Sequence, residues 1–132
     1  MALTLTRSVV ELLGAEAQRA HPLECCGLLL GGTEERIDVA LAARNVAPDP
    51  ARYFEIDPQA LIDAHRAERR GGPRLLGYYH SHPTGLAQPS ATDRAQASGD
   101  GRLWAIVARE EIALWRDVGV GFERLPYEVL DG

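Results

Sequence analysis

The sequence predicts an α/β (α+β) fold in which a mixed β-sheet is sandwiched by helices. The first observation behind this prediction is the order of the predicted elements, β-α-β-β-β-α-β-α-β-β-β, which distributes helices among the strands. The second is the composition, because 45% hydrophobic and 25% charged residues are ordinary for a globular protein. The third is the length, since 132 residues fit one domain (1–132) with a single hydrophobic core.

Apolar periodicity and turn residues place the individual elements. Alternating or continuous apolar runs predict strands at residues 3–5, 23–30, 36–45, 53–56, 75–82, 103–108, 112–117 and 122–130. Apolar residues at helical spacing, or N-cap residues, predict helices at residues 8–20, 57–70 and 90–98. The first of these helices carries a capping-box pattern at Ser8 and Glu11, and the second begins with Asp57-Pro58.

The charge of the chain limits the partners that we expect. A net charge of −5 argues against a nucleic-acid-binding protein, because neutralising phosphates requires a basic surface. A local basic cluster at Arg66, Arg69, Arg70 and Arg74 is either a solvated helix face or a docking patch for an acidic protein. We expect no membrane segment and no signal peptide, and therefore a cytoplasmic location. The sequence makes no prediction of the oligomeric state.

The two cysteines are adjacent, at Cys25 and Cys26. Neighbouring residues of a strand face opposite sides of the sheet, so an ordinary disulfide between them is not expected. We interpret both as small core residues. Cys26 has the same strand parity as Glu24 and could therefore lie near a site that contains this carboxylate.

The candidate site begins at His80-Ser81-His82-Pro83. On a strand, residues two apart point to the same face, so His80 and His82 present their imidazoles side by side. Asp93 follows after a short loop as a third possible ligand. Two imidazoles and one carboxylate leave the fourth tetrahedral position of a zinc ion open for water, which is typical of catalytic zinc sites.

Two further residues would complete a hydrolytic centre around this zinc. Glu24 lies near the start of an apolar strand, where a carboxylate is either at an exposed strand end or close to a positive group. Next to a zinc ion it would accept the proton of the activated water and return it to the leaving amine. Ser90 is one helical turn before Asp93, where it either caps the helix or donates its hydroxyl to the oxyanion, and the two roles are compatible.

The chain resembles a known family at these residues. His80-Ser81-His82-Pro83, six residues, and Ser90-Ala91-Thr92-Asp93, with Glu24 in the segment Pro22-Leu23-Glu24-Cys25-Cys26-Gly27, is similar to the JAMM motif of the MPN-positive metalloproteases. The resemblance covers nearly the whole chain and is greatest with the short prokaryotic members. It implies a β-sheet sandwiched by helices, akin to the cytidine deaminase architecture.

The resemblance also implies an activity. MPN-positive proteins of this type use zinc to hydrolyse the peptide or isopeptide bond after the C-terminal Gly-Gly of a ubiquitin-like or sulfur-carrier protein. A thin Gly-Gly tail can enter a narrow groove as an added strand, and residues 84–89 and 44–53 are candidate walls of this groove. Two alternatives are a non-catalytic scaffold of the same fold and a zinc hydrolase of small amides without a protein partner.

Overall fold

A computed structural model describes residues 3–109 and 111–131, and it has nine strands and three helices in these residues. The helices are α1 (Arg7–Ala20), α2 (Pro58–Arg69) and α3 (Ala91–Gln96). The strands are β1 (Leu3–Thr6), β2 (Cys26–Gly31), β3 (Arg36–Ile37), β4 (Val39–Ala43), β5 (Arg74–Ser81), β6 (Leu103–Ala108), β7 (Glu111–Asp117), β8 (Phe122–Leu125) and β9 (Tyr127–Leu130). None of these helices is long and apolar enough to cross a membrane.

The main sheet has six strands in the order β4-β2-β5-β6-β7-β8. The central pair β5–β6 is parallel, while the other neighbouring pairs are antiparallel. A second, smaller sheet has the order β3-β1-β9 with parallel pairing. The predicted mixed sheet is therefore confirmed, and the short second sheet is an addition to it.

Helices cover both faces of the main sheet, as predicted. Alternate residues of β2 enter two different cores: Leu29 packs with Val9 and Leu13 of α1 and with the small sheet, whereas Leu28 packs with Ala64 of α2. All six residues of β2 are buried, which confirms a strand covered on both faces. The two cysteines are free and buried, Cys25 in the first core and Cys26 in the second, as their adjacency predicts.

Helix α1 begins earlier than the capping-box pattern predicts. Thr6 is the N-cap, and its Oγ1 accepts a hydrogen bond from the backbone N–H of Val9 at 3.4 Å. Strand β1 leads directly into α1, so the last strand residue, in extended conformation (φ −71°, ψ 154°), also caps the helix. The prediction that Ser8 and Glu11 form the cap is wrong, because both lie inside the helix.

Two predicted strands are each divided between the two sheets. The 36–45 segment breaks at Asp38, so that β3 pairs with β1 while β4 forms the predicted antiparallel pair with β2. The 122–130 segment breaks at Pro126, which has no N–H to donate to a strand ladder. In the first segment the apolar alternation continues through the break, but Ile37 is buried whereas Val39 and Leu41 are exposed, so the buried face changes with the pairing partner.

The remaining differences concern the ends of elements. Residues 53–56 form no strand, because Ile56 makes a single bridge to Asn45 and the rest of the segment is a loop. Strand β2 begins at Cys26 rather than at residue 23, and α3 ends at Gln96 rather than at residue 98. The apolar residues of 53–56 are still buried, since Phe54 and Ile56 pack in the α2 core. Their pattern indicates burial and not strand pairing.

Two glycines differ in the space around them. A Cβ atom at Gly27 in β2 would overlap the backbone oxygen of Leu41 and the aromatic ring of Tyr79. A Cβ atom at Gly14 in α1 would meet no atom within 4 Å. The first glycine is therefore required for close packing of the main sheet, whereas the second leaves space beside the helix.

Candidate metal centre

The candidate site lies at the carboxyl end of β5, next to its parallel partner β6. The site residues follow from the end of this strand: His80 is in β5, His82 comes directly after it, and Asp93 is in the first turn of α3. The N–H of His82 still donates to the carbonyl of Val107 in β6 at 2.8 Å, which keeps its strand parity with His80. In open sheets the carboxyl ends of parallel strands are the usual place for a ligand.

Three ligand atoms converge in this site, as predicted. The Nε2 atoms of His80 and His82 are 3.1 Å apart, and each is 3.1 Å from Oδ2 of Asp93. Two ligands at zinc bond lengths and the tetrahedral angle are about 3.3 Å apart. Among the described residues, these three form the group of side chains that could hold a metal ion. Both the spacing and the two-nitrogen, one-oxygen donor set suit zinc.

The loop after β5 determines the tautomer of His82. Nδ1 of His82 is 2.8 Å from the carbonyl oxygen of Leu86. Because a carbonyl can only accept, Nδ1 carries the proton, and in the neutral ring Nε2 then has a free lone pair. This is the arrangement in which a metal-binding histidine donates its second ring N–H to a backbone oxygen.

Asp93 is oriented by a reciprocal capping box with Ser90. The backbone N–H of Asp93 donates to Oγ of Ser90 at 3.0 Å, and the backbone N–H of Ser90 donates to Oδ2 of Asp93 at 2.9 Å. A carboxylate oxygen has two lone pairs, so Oδ2 can accept this bond and still bind a metal. The predicted N-cap role of Ser90 is confirmed. Its hydroxyl hydrogen is not used by this cap and is available to a second acceptor.

Burial and neighbouring groups shift the pKa values of all three ligands. His80 is fully buried, and burial lowers its pKa, so its imidazole is neutral near pH 7. Burial also acts to lower the pKa of His82, but its contacts with Asp93 and the Leu86 carbonyl outweigh burial and raise it. For Asp93, burial is outweighed by hydrogen bonds from both imidazoles, and its pKa is well below the usual range. Asp93 therefore supplies the site with one ionised carboxylate in a buried setting.

Aromatic rings hold the His80 imidazole from the α2 side. Phe54 stacks on it with ring centroids 4.2 Å apart and planes 19° apart. Trp104 packs edge-on at 5.6 Å. These contacts fix the orientation of a ligand that is fully buried, and they explain why Phe54 is needed in a segment that forms no strand.

Glu24 lies beside the metal-ligand group and is buried rather than exposed. Only 6% of its surface is accessible, and its Oε1 has no hydrogen-bond partner among the described residues. Burial raises the pKa of Glu24 to about 7, with smaller and opposing effects from His82 and Asp93. A buried carboxylate without a partner is costly, and such groups are concentrated at functional sites.

The backbone on both sides of Glu24 is held in place. Its N–H donates to the carbonyl of Pro50 at 2.8 Å, and its carbonyl accepts from Nδ2 of Asn45 at 3.0 Å. The next residue, Cys25, is tied to Ser81: its N–H donates to Oγ of Ser81 at 2.9 Å, and its carbonyl accepts the Ser81 N–H at 3.1 Å. Ser81 lies between the two histidines, so these bonds connect the backbone next to Glu24 to the ligand strand.

Two residues of the site lie in the segments predicted as groove walls, but the sequence did not predict their individual roles. Asn45 donates to the carbonyls of Glu24 and Tyr53 and accepts the N–H groups of Ala47 and Glu55, so one amide organises the loop beside the site. Leu86 contributes only its backbone carbonyl. An asparagine at a strand end is a sequence signal for a structured loop, whereas a carbonyl contact has no sequence signal because every residue has this group.

Comparison with known proteins shows similarity to peptidases. The chain is 38% identical over 86 residues to the desampylase of Haloferax volcanii, a match that covers 64% of this chain and 62% of that protein. It is 37% identical over 97 residues to a probable TtuB-protein conjugate cleaving protease of Thermus thermophilus, with 74% and 64% covered. Matches to these two relatives therefore span somewhat less than two thirds of their length. Over 135 residues it is 26% identical to the CysO-cysteine peptidase of Mycobacterium tuberculosis, with 98% and 92% covered.

Solved structures give the same fold. The solution structure of protein DSY2949 from Desulfitobacterium hafniense matches with a TM-score of 0.81 and 28% identity, covering 98% of this chain and 92% of that chain. AF2198, a JAB1/MPN domain protein from Archaeoglobus fulgidus, matches with a TM-score of 0.65 over 98% of this chain and 97% of that chain. Its identity of 20% supports the fold alone.

The family follows from a match over most of the chain. Residues 6–118 match the family model described as prokaryotic homologs of the JAB domain. This range includes Glu24, both histidines and the capping box of α3, so the sequence motif and the fold agree. The chain belongs to this family of prokaryotic JAB-domain homologs.

Proposed function

We propose that this chain is a zinc-dependent metallopeptidase that hydrolyses the peptide or isopeptide bond after the C-terminal Gly-Gly of a ubiquitin-like or sulfur-carrier protein. One observation carries the proposal: the ligand atoms of His80, His82 and Asp93 converge near Glu24, whose buried Oε1 has no hydrogen-bond partner among the described residues. A metal-ligand triad next to a buried carboxylate is the minimum set for hydrolysis of an amide by water.

In this proposal His80, His82 and Asp93 hold the zinc ion. The neutral imidazole of His80 and the Nδ1–H tautomer of His82 present lone pairs, and the carboxylate supplies a negative charge. When bound, zinc supplies Lewis acidity, which lowers the pKa of a coordinated water towards about 7. Three protein ligands leave room for this chemistry, since structural zinc sites use four.

Glu24 is the general base and then the general acid. Its carboxylate accepts a proton from the attacking water and delivers it to the leaving amine, which cannot depart as an anion. Burial raises the pKa of Glu24 to about 7, and a group with a pKa near the working pH can both take up and release a proton. The hydrogen bonds from Asn45 and to Pro50 hold its backbone in place for this role.

Ser90 stabilises the oxyanion of the tetrahedral intermediate. Its Oγ accepts the N–H of Asp93 and retains its own hydrogen for donation. Because Ser90 caps the helix that carries a metal ligand, its hydroxyl is fixed relative to the metal site. A preorganised donor of this kind contributes to catalysis without a reorganisation cost.

The substrate class is supported by the relatives. Their printed names describe a desampylase, a protease that cleaves TtuB-protein conjugates and a CysO-cysteine peptidase. A carrier that ends in Gly-Gly presents a tail without side chains, and this tail can lie as an extended strand in a groove. Residues 84–89 and 44–53 flank the site in sequence, and we propose them as the groove walls.

The proposed location is the cytoplasm. Cys25 and Cys26 are free thiols, which are typical of a reducing compartment. Cell fractionation with an antibody against the chain tests this location, and recovery in an extracytoplasmic fraction would overturn it.

The experiment that tests the function uses carrier proteins with C-terminal extensions after Gly-Gly. Zinc-loaded protein is incubated with these carriers, and product masses are read by mass spectrometry. We expect a carrier that ends in Gly-Gly, together with the released extension. Glu24→Gln should retain one zinc per chain and lose at least about 100-fold in activity, whereas His80→Ala should lose both zinc and activity.

Two outcomes would support the alternatives instead. Binding of the carrier without cleavage by either wild type or His80→Ala would indicate a non-catalytic scaffold. Turnover of small peptide amides with no binding to any carrier would indicate a hydrolase without a protein partner. Protein purified without chelator that contains no zinc would contradict the proposed metal site.

A further inference from the structure

A cavity beside the candidate site contains a positive charge. It has a volume of about 830 Å³ and lies between α1 and the carboxyl ends of β5 and β6. His82 is the metal ligand that forms part of its wall, so the cavity meets the candidate site at this residue. Its size is within the usual range of small-ligand sites, about 300–1,000 Å³. An amino acid or a short peptide can therefore enter it.

The charges in this cavity favour an anion. Gln18, His21 and Arg109 contribute polar or basic side chains, and no acidic residue is among the described residues that line it. This contrasts with the net charge of −5 of the whole chain. A cavity with one sign of charge in an oppositely charged protein selects its ligand by electrostatic complementarity.

Arg109 is the cation best placed to bind this ligand. It follows the last residue of β6 and forms no ion pair with the acidic residues that the structure describes. The nearby Glu111 pairs instead with Arg124 at 3.1 Å. An exposed guanidinium next to a cavity can bind a carboxylate through two parallel hydrogen bonds.

The backbone of Arg109 supports a role for its side chain. Its φ is +54°, in the left-handed region that glycine adopts without strain. Arg109 directly follows Ala108, which pairs with Glu111 of β7, and glycine, asparagine and aspartate are the usual residues where a hairpin requires a positive φ. An arginine at a position that favours glycine is an outlier from which a function can be inferred.

We propose that Arg109 binds the free α-carboxylate of the residue or short peptide that is released from the carrier. The inference rests on the proposed function, because it names the leaving group of the same reaction. In a Gly-Gly conjugate the C-terminal carboxyl of the carrier is part of the bond to be broken. A carboxylate in the cavity therefore comes from the leaving group. An isopeptide-linked lysine has no free carboxylate at this distance from the bond, whereas a C-terminal extension of one or a few residues has one.

The substrate preference follows directly. The chain should remove short C-terminal extensions with a free carboxylate faster than the same extensions with a C-terminal amide. Because Arg109 is exposed, we expect a preference of up to about fivefold in kcat/KM, and it should decrease as the salt concentration rises. The comparison needs matched carriers that differ only in the terminal acid or amide.

The test measures the acid-to-amide ratio of kcat/KM in wild type and variants. Arg109→Gln should bring the ratio close to one, and Arg109→Lys should retain part of the preference. Arg109→Gly also removes the charge while relieving the positive φ, so it should lose the preference and melt at the same or a higher temperature. Arg69→Gln, an exposed arginine at the end of α2 on the other face of the sheet, is the matched control and should keep the wild-type ratio.

Each result separates this inference from the proposed function. Cleavage of acid and amide carriers at equal rates by wild type would overturn the role of Arg109 and leave the peptidase proposal intact. An acid-to-amide ratio of kcat/KM that stays high in Arg109→Gln and Arg109→Gly would also overturn the role of Arg109 and leave the peptidase proposal intact. No cleavage of any carrier by wild type would contradict the proposed function itself.

Discussion

The Oδ2 atom of Asp93 has three neighbours at hydrogen-bond distance: Nε2 of His80, Nε2 of His82 and the N–H of Ser90. The first two are donor atoms for a metal, and the third orients the carboxylate. One oxygen thus connects the metal site to the cap of α3. A change at Ser90 therefore affects the helix cap as well as any chemistry of its hydroxyl, and an experiment has to separate the two.

Substitutions of Ser90 by alanine and by glycine can make this separation. Both remove the hydroxyl, but at an N-cap alanine costs about 1 kcal/mol and glycine only a few tenths. If the hydroxyl stabilises the oxyanion, both variants should lose about 100-fold in kcat with similar KM. Kinetics with an extended carrier, together with melting temperatures, check this prediction. If Ser90→Gly recovers most of the activity, the serine acts only as a cap.

At this scale the sequence predicts the side chains of the site better than their supports. His80, His82 and Asp93 were predicted because strand parity and a helix cap place them within a short stretch of chain. The Leu86 carbonyl and the Asn45 amide depend on how two loops fold back, and local spacing does not encode this. The burial of Glu24 was likewise unresolved by its own strand pattern and became clear only from the tertiary structure.

At the scale of elements, the packing of β2 against its neighbours depends on Gly27. Tyr79 of β5 lies over this glycine, and Leu41 of β4 is on the other side. β2 is the strand that follows Glu24, and β5 carries the ligands. The close approach at Gly27 therefore keeps the strand after the proposed base close to the strand of the metal ligands.

Two glycine-to-alanine substitutions should have opposite effects. Gly27→Ala places a methyl group against backbone and an aromatic ring, so we expect a loss of about 3 kcal/mol or more in the free energy of unfolding. Gly14→Ala adds a methyl group in open space on α1 and should gain up to about 1 kcal/mol from helix propensity. Urea denaturation measures both. Equal effects of the two variants would contradict the packing described for β2.

The boundaries of elements show what periodicity can and cannot predict. Residues 36–45 and 122–130 are each predicted as a single strand, yet each is shared between the two sheets. Ile37 is buried, whereas Val39 and Leu41, which continue its alternation, are exposed, so the buried face changes where the chain passes from one sheet to the other. Where a chain leaves one sheet for the other is a property of the tertiary arrangement, although Pro126 marks one of the two breaks.

At the scale of the whole molecule, Glu24 links stability to pH. In the folded metal-free protein the pKa of Glu24 is raised to about 7, whereas an unfolded glutamate titrates near 4.3. The folded state therefore binds this proton more tightly. Its contribution is fully present below about pH 4 and is lost as the pH rises through about 7.

The comparison of wild type with Glu24→Gln isolates this effect, because glutamine has the same shape and does not titrate. In the presence of a chelator, wild type should lose as much as about 3 kcal/mol of stability relative to Glu24→Gln between pH 4 and pH 8. Urea denaturation at several pH values measures the difference. With zinc bound the difference should shrink, since a nearby cation favours the carboxylate. Parallel pH profiles in chelator would contradict a raised pKa.

The fold class was predictable at this scale because helices and strands alternate and a single core is enough for the length of the chain. The small sheet was not, because it joins β1, β3 and β9 from three distant parts of the chain. Each of these strands is two to four residues long. Such short segments carry little periodic signal of their own.

The bonds between Ser81 and Cys25 have a consequence for the motion of the site. Ser81 lies between the two histidines, and Cys25 follows Glu24. The N–H of Cys25 donates to Oγ of Ser81, and the carbonyl of Cys25 accepts the N–H of Ser81. We therefore expect a displacement of β5 to be shared by the backbone next to Glu24. This coupling would limit changes in the separation between the proposed base and the metal ligands.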